Sequence, residues 1–134
     1  MTGAAPTFAT ALNCMDGRVQ LPVNEAVCSI FGVSYVDTIT EAGIVRLLSD
    51  EIDSPQAKSA LQRVQISLDK HGSRAIALAA HQDCAGNPCS DRTQQEQLRR
   101  AVAFLKGQFA VCTIVGLWIG NDWVARVAVP HPSV

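Results

Sequence analysis

Along the chain, short apolar runs alternate with longer segments in which apolar residues recur at helical spacing. Apolar or β-branched runs of about four to eight residues favour strands, whereas a recurring apolar stripe favours a helix. Five runs of the first kind predict β-strands, at residues 7–13, 33–40, 75–80, 111–119 and 123–129. The run at 75–80 is continuously apolar, as expected for a central strand that is buried on both faces.

The segments between the predicted strands supply helices. Ser54 followed by Pro55 is a strong helix start, because serine caps the first turn and proline needs no hydrogen bond there. The predicted helices run from Pro22 to a stop at Gly32, from Ser54-Pro55 to a stop at Gly72, and from a cap at Asp91 to Gly107. The predicted connections are loops at residues 15–18 and 82–90 and a longer one at residues 41–53.

This alternation predicts an α/β fold, namely a mainly parallel sheet of about four to five strands with helices on both faces. In such sheets, ligands bind at the C-terminal ends of the strands. Cys14 follows the first predicted strand and His81 follows the third. If those two strands are neighbours, both side chains reach one crevice.

The composition limits what kind of protein the chain can be. With 134 residues, 48% of them hydrophobic and 17% charged, it is expected to form one globular domain over residues 1–134. The formal net charge of -1 offers no basic excess for nucleic acid or anionic lipid. No secretory leader and no apolar run of membrane-spanning length is visible, so the cytoplasm is the expected location.

The five cysteines are therefore expected to bind metal, act in catalysis or be buried, rather than to form a disulfide framework. The segment His81-Gln82-Asp83-Cys84 places two ligands three residues apart at the end of a strand, and Cys14 would be the third. Zinc favours thiolate and imidazole ligands, and a catalytic zinc keeps its fourth position open. The sequence thus predicts a catalytic zinc site. The other cysteines are predicted to be core residues (Cys28 and Cys112) or a bystander (Cys89).

Asp16 and Arg18 lie two and four residues past Cys14. A carboxylate there could occupy the fourth metal position or hydrogen-bond to a metal-bound water. The arginine could hold that carboxylate in a bidentate pair, ionised and away from the metal, or it could be a surface ion-pair residue. We hypothesise that exchange between the two carboxylate positions is a pH-dependent switch.

Four further residues are assigned smaller roles. Gly43 is predicted to allow a tight backbone turn near the site. Asp83 either orients a metal ligand or is a solvated loop residue. Trp118 and Trp123 flank a predicted turn and are expected to be packing or interface residues.

Cys14-Met15-Asp16-Gly17-Arg18 and His81-Gln82-Asp83-Cys84 resemble the two signature motifs of the β-class carbonic anhydrases, C-x-D-x-R and H-x-x-C. The resemblance implies Zn²⁺ held by Cys14, His81 and Cys84, with an Asp16–Arg18 dyad beside it. It also implies reversible hydration of carbon dioxide to bicarbonate by a zinc-bound hydroxide. A homodimer or higher homo-oligomer is implied as well, with the active site near the subunit interface.

The chain also departs from the family pattern. Thr40-Glu41-Ala42-Gly43 stands where the family commonly has Arg-Asn-Ala-Gly, and Ala85 follows the second motif where a glycine is usual. The chain is short for the family and is expected to lack its N-terminal helical arm. These departures indicate a divergent branch and leave two alternatives open. One is a carbonyl sulfide or carbon disulfide hydrolase on the same scaffold, and the other is a non-catalytic zinc-binding regulatory homologue.

Overall fold

The structure, a computed structural model, describes residues 7–132 of the chain. Strands and helices alternate along these residues, with one short additional helix. In chain order they are β1 (Phe8–Asn13), α1 (Gly17–Phe31), β2 (Tyr35–Thr40), α2 (Ile44–Asp50), α3 (Pro55–His71), β3 (Ala75–His81), α4 (Asp91–Gln108), β4 (Thr113–Ile119) and β5 (Ala125–Val129).

The strands form one five-stranded sheet in the order β2-β1-β3-β4-β5. Within this sheet β2, β1, β3 and β4 run parallel to one another. The edge strand β5 pairs antiparallel with β4. This confirms the predicted α/β fold with a mainly parallel sheet. It also confirms that the apolar run at 75–80 forms the central strand.

The two faces of the sheet bury different side chains, because successive strand residues point to opposite sides. Ile76 and Leu78 of β3 face a core that is shared with α2, α3 and α4. Ala77 and Ala79 face the other way, toward α1. Small alanine side chains let α1 lie close to the sheet, and α1 begins directly after the first predicted ligand, Cys14.

The start of α1 differs from the prediction, which placed Pro22 in the first turn. The helix begins at Gly17, because the Asp16 side chain caps it by accepting a hydrogen bond from the Arg18 backbone N–H. Pro22 lies inside the helix, and residues 17 and 18, predicted as loop, are helical. The predicted end is correct, since Gly32 closes the helix in a left-handed conformation with φ of 63°.

The long connection predicted over residues 41–53 contains the helix α2, which the sequence pattern did not reveal. This helix has seven residues, too few for a visible period, and its N-cap Gly43 provides no side-chain cap. Burial stabilises it instead, because Ile44, Val45, Leu47 and Leu48 are all in the core.

Local capping explains the ends of the remaining helices. Ser54 caps α3 and Gly72 ends it, as predicted. In α4 the cap is Ser90 rather than Asp91, because the Ser90 hydroxyl accepts from the Thr93 backbone N–H at 3.1 Å. The helix also continues past Gly107 to Gln108, and the half-turn that follows buries Phe109.

The remaining cysteines only partly match the prediction of a core position. Cys112 is buried, although it lies just before β4 rather than within it. Cys28 is only half-buried, because it lies on the flank of α1 near Asn24. Cys89 is exposed.

Candidate metal centre

Cys14, His81 and Cys84 come together at the C-terminal edge of the sheet. Cys14 directly follows β1 and His81 ends β3, and these two strands are paired in parallel. Cys84 lies three residues further, in the loop that leads to α4. The ligand atoms of the three side chains all lie within 4.8 Å of one another, and all three residues are buried.

The spacing of the two sulfurs suits a tetrahedral zinc ion. Sulfurs that each lie 2.3 Å from a tetrahedral zinc are about 3.8 Å apart. The Sγ atoms of Cys14 and Cys84 are 3.9 Å apart, and both thiols are free. Zinc therefore fits between them with no rearrangement of the two loops.

His81 presents one ring nitrogen to the same point. Its Nδ1 is 2.7 Å from the Gln82 carbonyl oxygen, which can only accept, so Nδ1 carries the hydrogen. Its Nε2 therefore has a free lone pair, and among the described residues this buried atom has no hydrogen-bond partner. A buried polar atom without a partner is costly, and a metal ion would satisfy it.

A hydrogen bond joins the two thiols, and a cation can take the place of its proton. The Cys84 thiol donates to Cys14 Sγ, which lowers the pKa of Cys14 well below its usual range in spite of burial. The same contact raises the pKa of Cys84. Backbone N–H groups of Gly43 and Asp16 also stabilise the Cys14 thiolate. A divalent cation would displace the shared proton and leave two thiolates as ligands.

Gly43 brings the loop after β2 against the loop that carries Cys84. Its φ is 62°, and a Cβ at this position would lie 2.4 Å from the Gly86 carbonyl oxygen. Gly86 in turn lies against the Gly43 nitrogen, with 2.7 Å between that atom and the position of an added Cβ. The two loops can approach this closely only because neither residue has a side chain.

Asp16 and Arg18 form a bidentate pair beside the cluster. Arg18 Nε donates to Asp16 Oδ1 at 3.0 Å, and Arg18 Nη2 donates to Asp16 Oδ2 at 2.7 Å. The Arg18 side chain, followed by its backbone N–H, lowers the pKa of Asp16 to about 2. The carboxylate is therefore ionised at neutral pH and turned toward the arginine.

Asp83 contacts Arg18 and not a ligand of the cluster. Arg18 Nη1 donates to Asp83 Oδ2 and Arg18 Nη2 donates to the Asp83 carbonyl oxygen, both at 3.2 Å. The Asp83 side chain is otherwise exposed. The structure thus pairs Asp83 with Arg18, a contact that neither interpretation from the sequence included.

Sequence reasoning missed three residues that hold the site. Gln20 donates to the carbonyl oxygens of Cys14 and Asp16, both at 2.8 Å, and Gln94 donates to the His81 carbonyl oxygen at 2.7 Å. Trp123 lies over the guanidinium of Arg18. Of these three residues, only Gln20 could have been recognised from its sequence position, since it lies one helical turn after Asp16.

Glu41 stands in the segment where this chain departs from the family pattern, and its side chain forms an ion pair with a residue of α3. Its carboxylate pairs with Arg63 of α3, and its backbone N–H donates to the Asn13 carbonyl oxygen. The substituted segment is therefore integrated into the fold through an ion pair of its own.

The cluster is buried, and one of its residues borders a groove that is open to solvent. Toward the core, the space around the three side chains is too narrow for a free water molecule in the described part of the chain. Toward the solvent, a groove of about 510 Å³ is lined by Arg18, Asp83, Cys84, Ala85, Pro88 and Cys89. Of the three cluster residues, Cys84 lines this groove, and Arg18 lines it as well.

Comparison with known families agrees with this geometry. Residues 4–129 match the family described as "Putative carbonic anhydrase". The chain belongs to this family. No curated protein matches the chain in sequence. Within residues 7–132, no helix has both the length and the apolar content needed to cross a membrane.

Several solved carbonic anhydrases share the fold of this family member. One of the tetrameric enzymes of Sordaria macrospora superimposes with a TM-score of 0.64 at 11% identity, over 94% of this chain and 82% of its own. The enzyme of Glaciozyma antarctica gives 0.59 at 18% identity, over 91% and 82%. Isoform I of Trichomonas vaginalis gives 0.58 at 16% identity, over 98% and 87%. At these identities the likeness shows the fold alone.

Proposed function

We propose that this protein is a zinc-dependent carbonic anhydrase that reversibly hydrates carbon dioxide to bicarbonate. The observation that carries the proposal is the buried cluster of Cys14, His81 and Cys84 with an ionised Asp16–Arg18 pair beside it. Membership of the carbonic anhydrase family supports the choice of reaction.

Cys14, His81 and Cys84 would hold the zinc. Two thiolates and one neutral imidazole balance the charge of Zn²⁺, and three protein ligands are typical of a catalytic rather than a structural site. When bound there, zinc supplies a Lewis acid that makes water a nucleophile near neutral pH. Backbone donors to Cys14 and the Gln94 contact to His81 fix the ligands before any metal arrives.

Asp16 would act as a hydrogen-bond acceptor and not as a general base. With a pKa of about 2, its carboxylate is too weak a base to take a proton at neutral pH. Its Oδ1 accepts from the Arg18 backbone N–H and Nε, and its Oδ2 accepts from Nη2 and Nε, so these four bonds fix the orientation of the carboxylate beside the cluster. The bidentate pair also restrains Asp16 from swinging onto the metal.

The assembly and the location of the protein belong to the same proposal. The Sordaria macrospora enzymes are tetrameric, which supports a homodimer or larger homo-oligomer for this chain. We further propose that the protein acts in the cytoplasm, as the sequence led us to expect.

Stopped-flow hydration of carbon dioxide tests the proposal when zinc is measured on the same sample. We expect one zinc per chain, activity that rises between roughly pH 6.5 and 9, and loss of both zinc and activity in Cys14→Ser. A matched control is Cys28→Ser, which removes a half-buried thiol outside the cluster.

The alternatives give different results in the same sample. A zinc-loaded protein that releases sulfide from carbonyl sulfide but does not hydrate carbon dioxide would be a hydrolase of sulfur analogues. A zinc-loaded protein without either activity would be a binding or regulatory homologue. Folded protein that takes up no zinc would refute all three functions.

A further inference from the structure

Trp123 lies in the turn between β4 and β5, at the same edge of the sheet as the metal centre. Its indole ring faces Arg18, whose Cζ lies 4.2 Å from the ring centroid. The ring also lies beside His81, with 6.3 Å between the two ring centroids. One side chain therefore borders both the dyad and the metal-ligand cluster.

The guanidinium of Arg18 is held at its edges as well as on one face. Asp16 accepts from Nε and Nη2, while Asp83 accepts from Nη1 through its carboxylate and from Nη2 through its carbonyl. The Arg18 side chain is nevertheless 46% exposed, and an exposed ion pair alone is weak and mobile. A ring stacked on the guanidinium supplies the restraint that the ion pairs lack.

Backbone conformation singles out the same contacts. Among residues 7–132, Asp83 and Trp123 are the two non-glycine residues with positive φ, at 55° and 56°. Aspartate adopts this conformation fairly readily, whereas tryptophan rarely does, and both residues contact Arg18. The Trp123 turn is fixed locally, because its N–H donates to the Gly120 carbonyl at 3.1 Å and Asp122 caps the Val124 N–H at 3.2 Å. Unfavourable conformations that are retained in this way cluster at functional sites.

We propose that Trp123 is a positioning residue, whose ring fixes Arg18 so that the arginine holds Asp16 in place beside the metal centre. The catalytic consequence rests on the proposed function, whereas the restraint on Arg18 does not. A role in packing alone is the competing explanation, because Trp123 also lies against the apolar residues on the α1 face of the sheet.

Three variants separate these explanations. Trp123→Gly removes the ring and suits the positive φ, so it does not add backbone strain. Trp123→Phe keeps an aromatic face over the guanidinium. Trp118→Leu is the matched control, because Trp118 packs on the opposite face, against the core shared with α2, α3 and α4. Should the glycine variant fail to fold, Trp123→Leu replaces it.

The first measurement is the exchange of the Arg18 Nε–H with water, followed by ¹⁵N NMR on the zinc-loaded protein. We expect exchange to accelerate roughly three- to tenfold in Trp123→Gly and less than about twofold in Trp123→Phe, in line with the strength of a cation–π contact. We expect no change in Trp118→Leu. A role in packing alone predicts no difference between the Trp123 and Trp118 variants once unfolding is allowed for.

The second measurement is the hydration of carbon dioxide by the same samples. We expect Trp123→Gly to lower kcat with little change in KM and in zinc content, and Trp123→Phe to restore most of the loss. Unchanged exchange in Trp123→Gly overturns the proposal, and so does faster exchange with unchanged kcat. If the parent protein is inactive with full zinc, the proposed function fails. The exchange rates then still decide whether the ring restrains Arg18.

Discussion

Gly43 and Gly86 lie in contact where the two loops beside the metal centre meet. A Cβ added at Gly43 would lie 2.4 Å from the Gly86 carbonyl oxygen and 2.8 Å from its carbonyl carbon. Both are backbone atoms, so they cannot turn aside as the end of a flexible side chain can. Gly43→Ala therefore combines a steric overlap with a left-handed φ that alanine rarely adopts.

The size of the effect follows from these two causes. An alanine in the left-handed region costs about 1–2 kcal/mol, and an overpacked contact adds roughly 1–3 kcal/mol. We expect Gly43→Ala to lower the free energy of unfolding by about 2–5 kcal/mol. Gly32→Ala is the matched control, because Gly32 has a φ of +63° with nothing within 4 Å of an added Cβ. It should cost only about 1–2 kcal/mol.

Urea unfolding of the metal-free variants measures both costs, and competition with a chelator measures zinc affinity. Since the Gly43 N–H stabilises the Cys14 thiolate, Gly43→Ala should also weaken zinc binding about tenfold or more. Gly32→Ala should leave zinc affinity unchanged. Equal losses of stability in the two variants would refute the close approach of the loops, and unchanged zinc affinity in Gly43→Ala would refute its support of Cys14.

Three further predictions follow from individual contacts. Arg18→Gln should keep one zinc per chain but lower kcat/KM about tenfold or more, because Asp16 loses its bidentate partner. A stopped-flow assay with metal analysis on the same sample checks this prediction, and full activity would contradict it. The lowered pKa of Asp16 stabilises the fold above its unfolded value, and this contribution is lost as pH falls toward about 2. Acid unfolding of metal-free protein should therefore be shallower in Asp16→Asn, and an unchanged slope would contradict the shift. Gln94→Leu should cost about 1–3 kcal/mol in urea unfolding, because the buried His81 carbonyl loses its donor. A cost below that of an exposed substitution such as Gln62→Leu would show that the bond is unimportant.

Local signals in the sequence predicted the parts of the fold that local chemistry determines. The apolar run at 75–80 forms the central strand, and Ser54 and Gly72 cap and end α3 as their chemistry requires. The helix α2 could not be predicted in this way, because it has no capping side chain and is stabilised by burial against the rest of the core. The early start of α1 was missed because Asp16 was assigned only a role in the site, although it also caps the helix.

The candidate site was likewise predictable where local sequence determines it and not where distant elements pack together. Cys14, His81 and Cys84 could be named together because Cys14 follows β1, His81 ends β3 and Cys84 lies three residues further. Parallel neighbours bring their C-terminal ends to one edge of the sheet. The residues that hold these three ligands in place were harder to predict from the sequence. Gln94 reaches His81 from α4, and Trp123 reaches Arg18 from the last hairpin, so both contacts depend on how distant elements pack. The positive φ of Trp123 has no sequence signature at all.

X-ray absorption at the zinc edge tests the central claim, that Cys14, His81 and Cys84 bind one zinc ion, most directly. We expect two sulfurs at about 2.3 Å and one nitrogen at about 2.0 Å, with a lighter atom in the fourth position. Cys84→Ser should convert one sulfur into a lighter ligand or release the metal, whereas Cys89→Ser should leave the spectrum unchanged, because Cys89 lies outside the cluster. A parent spectrum without sulfur, or with four sulfurs, would contradict the assignment.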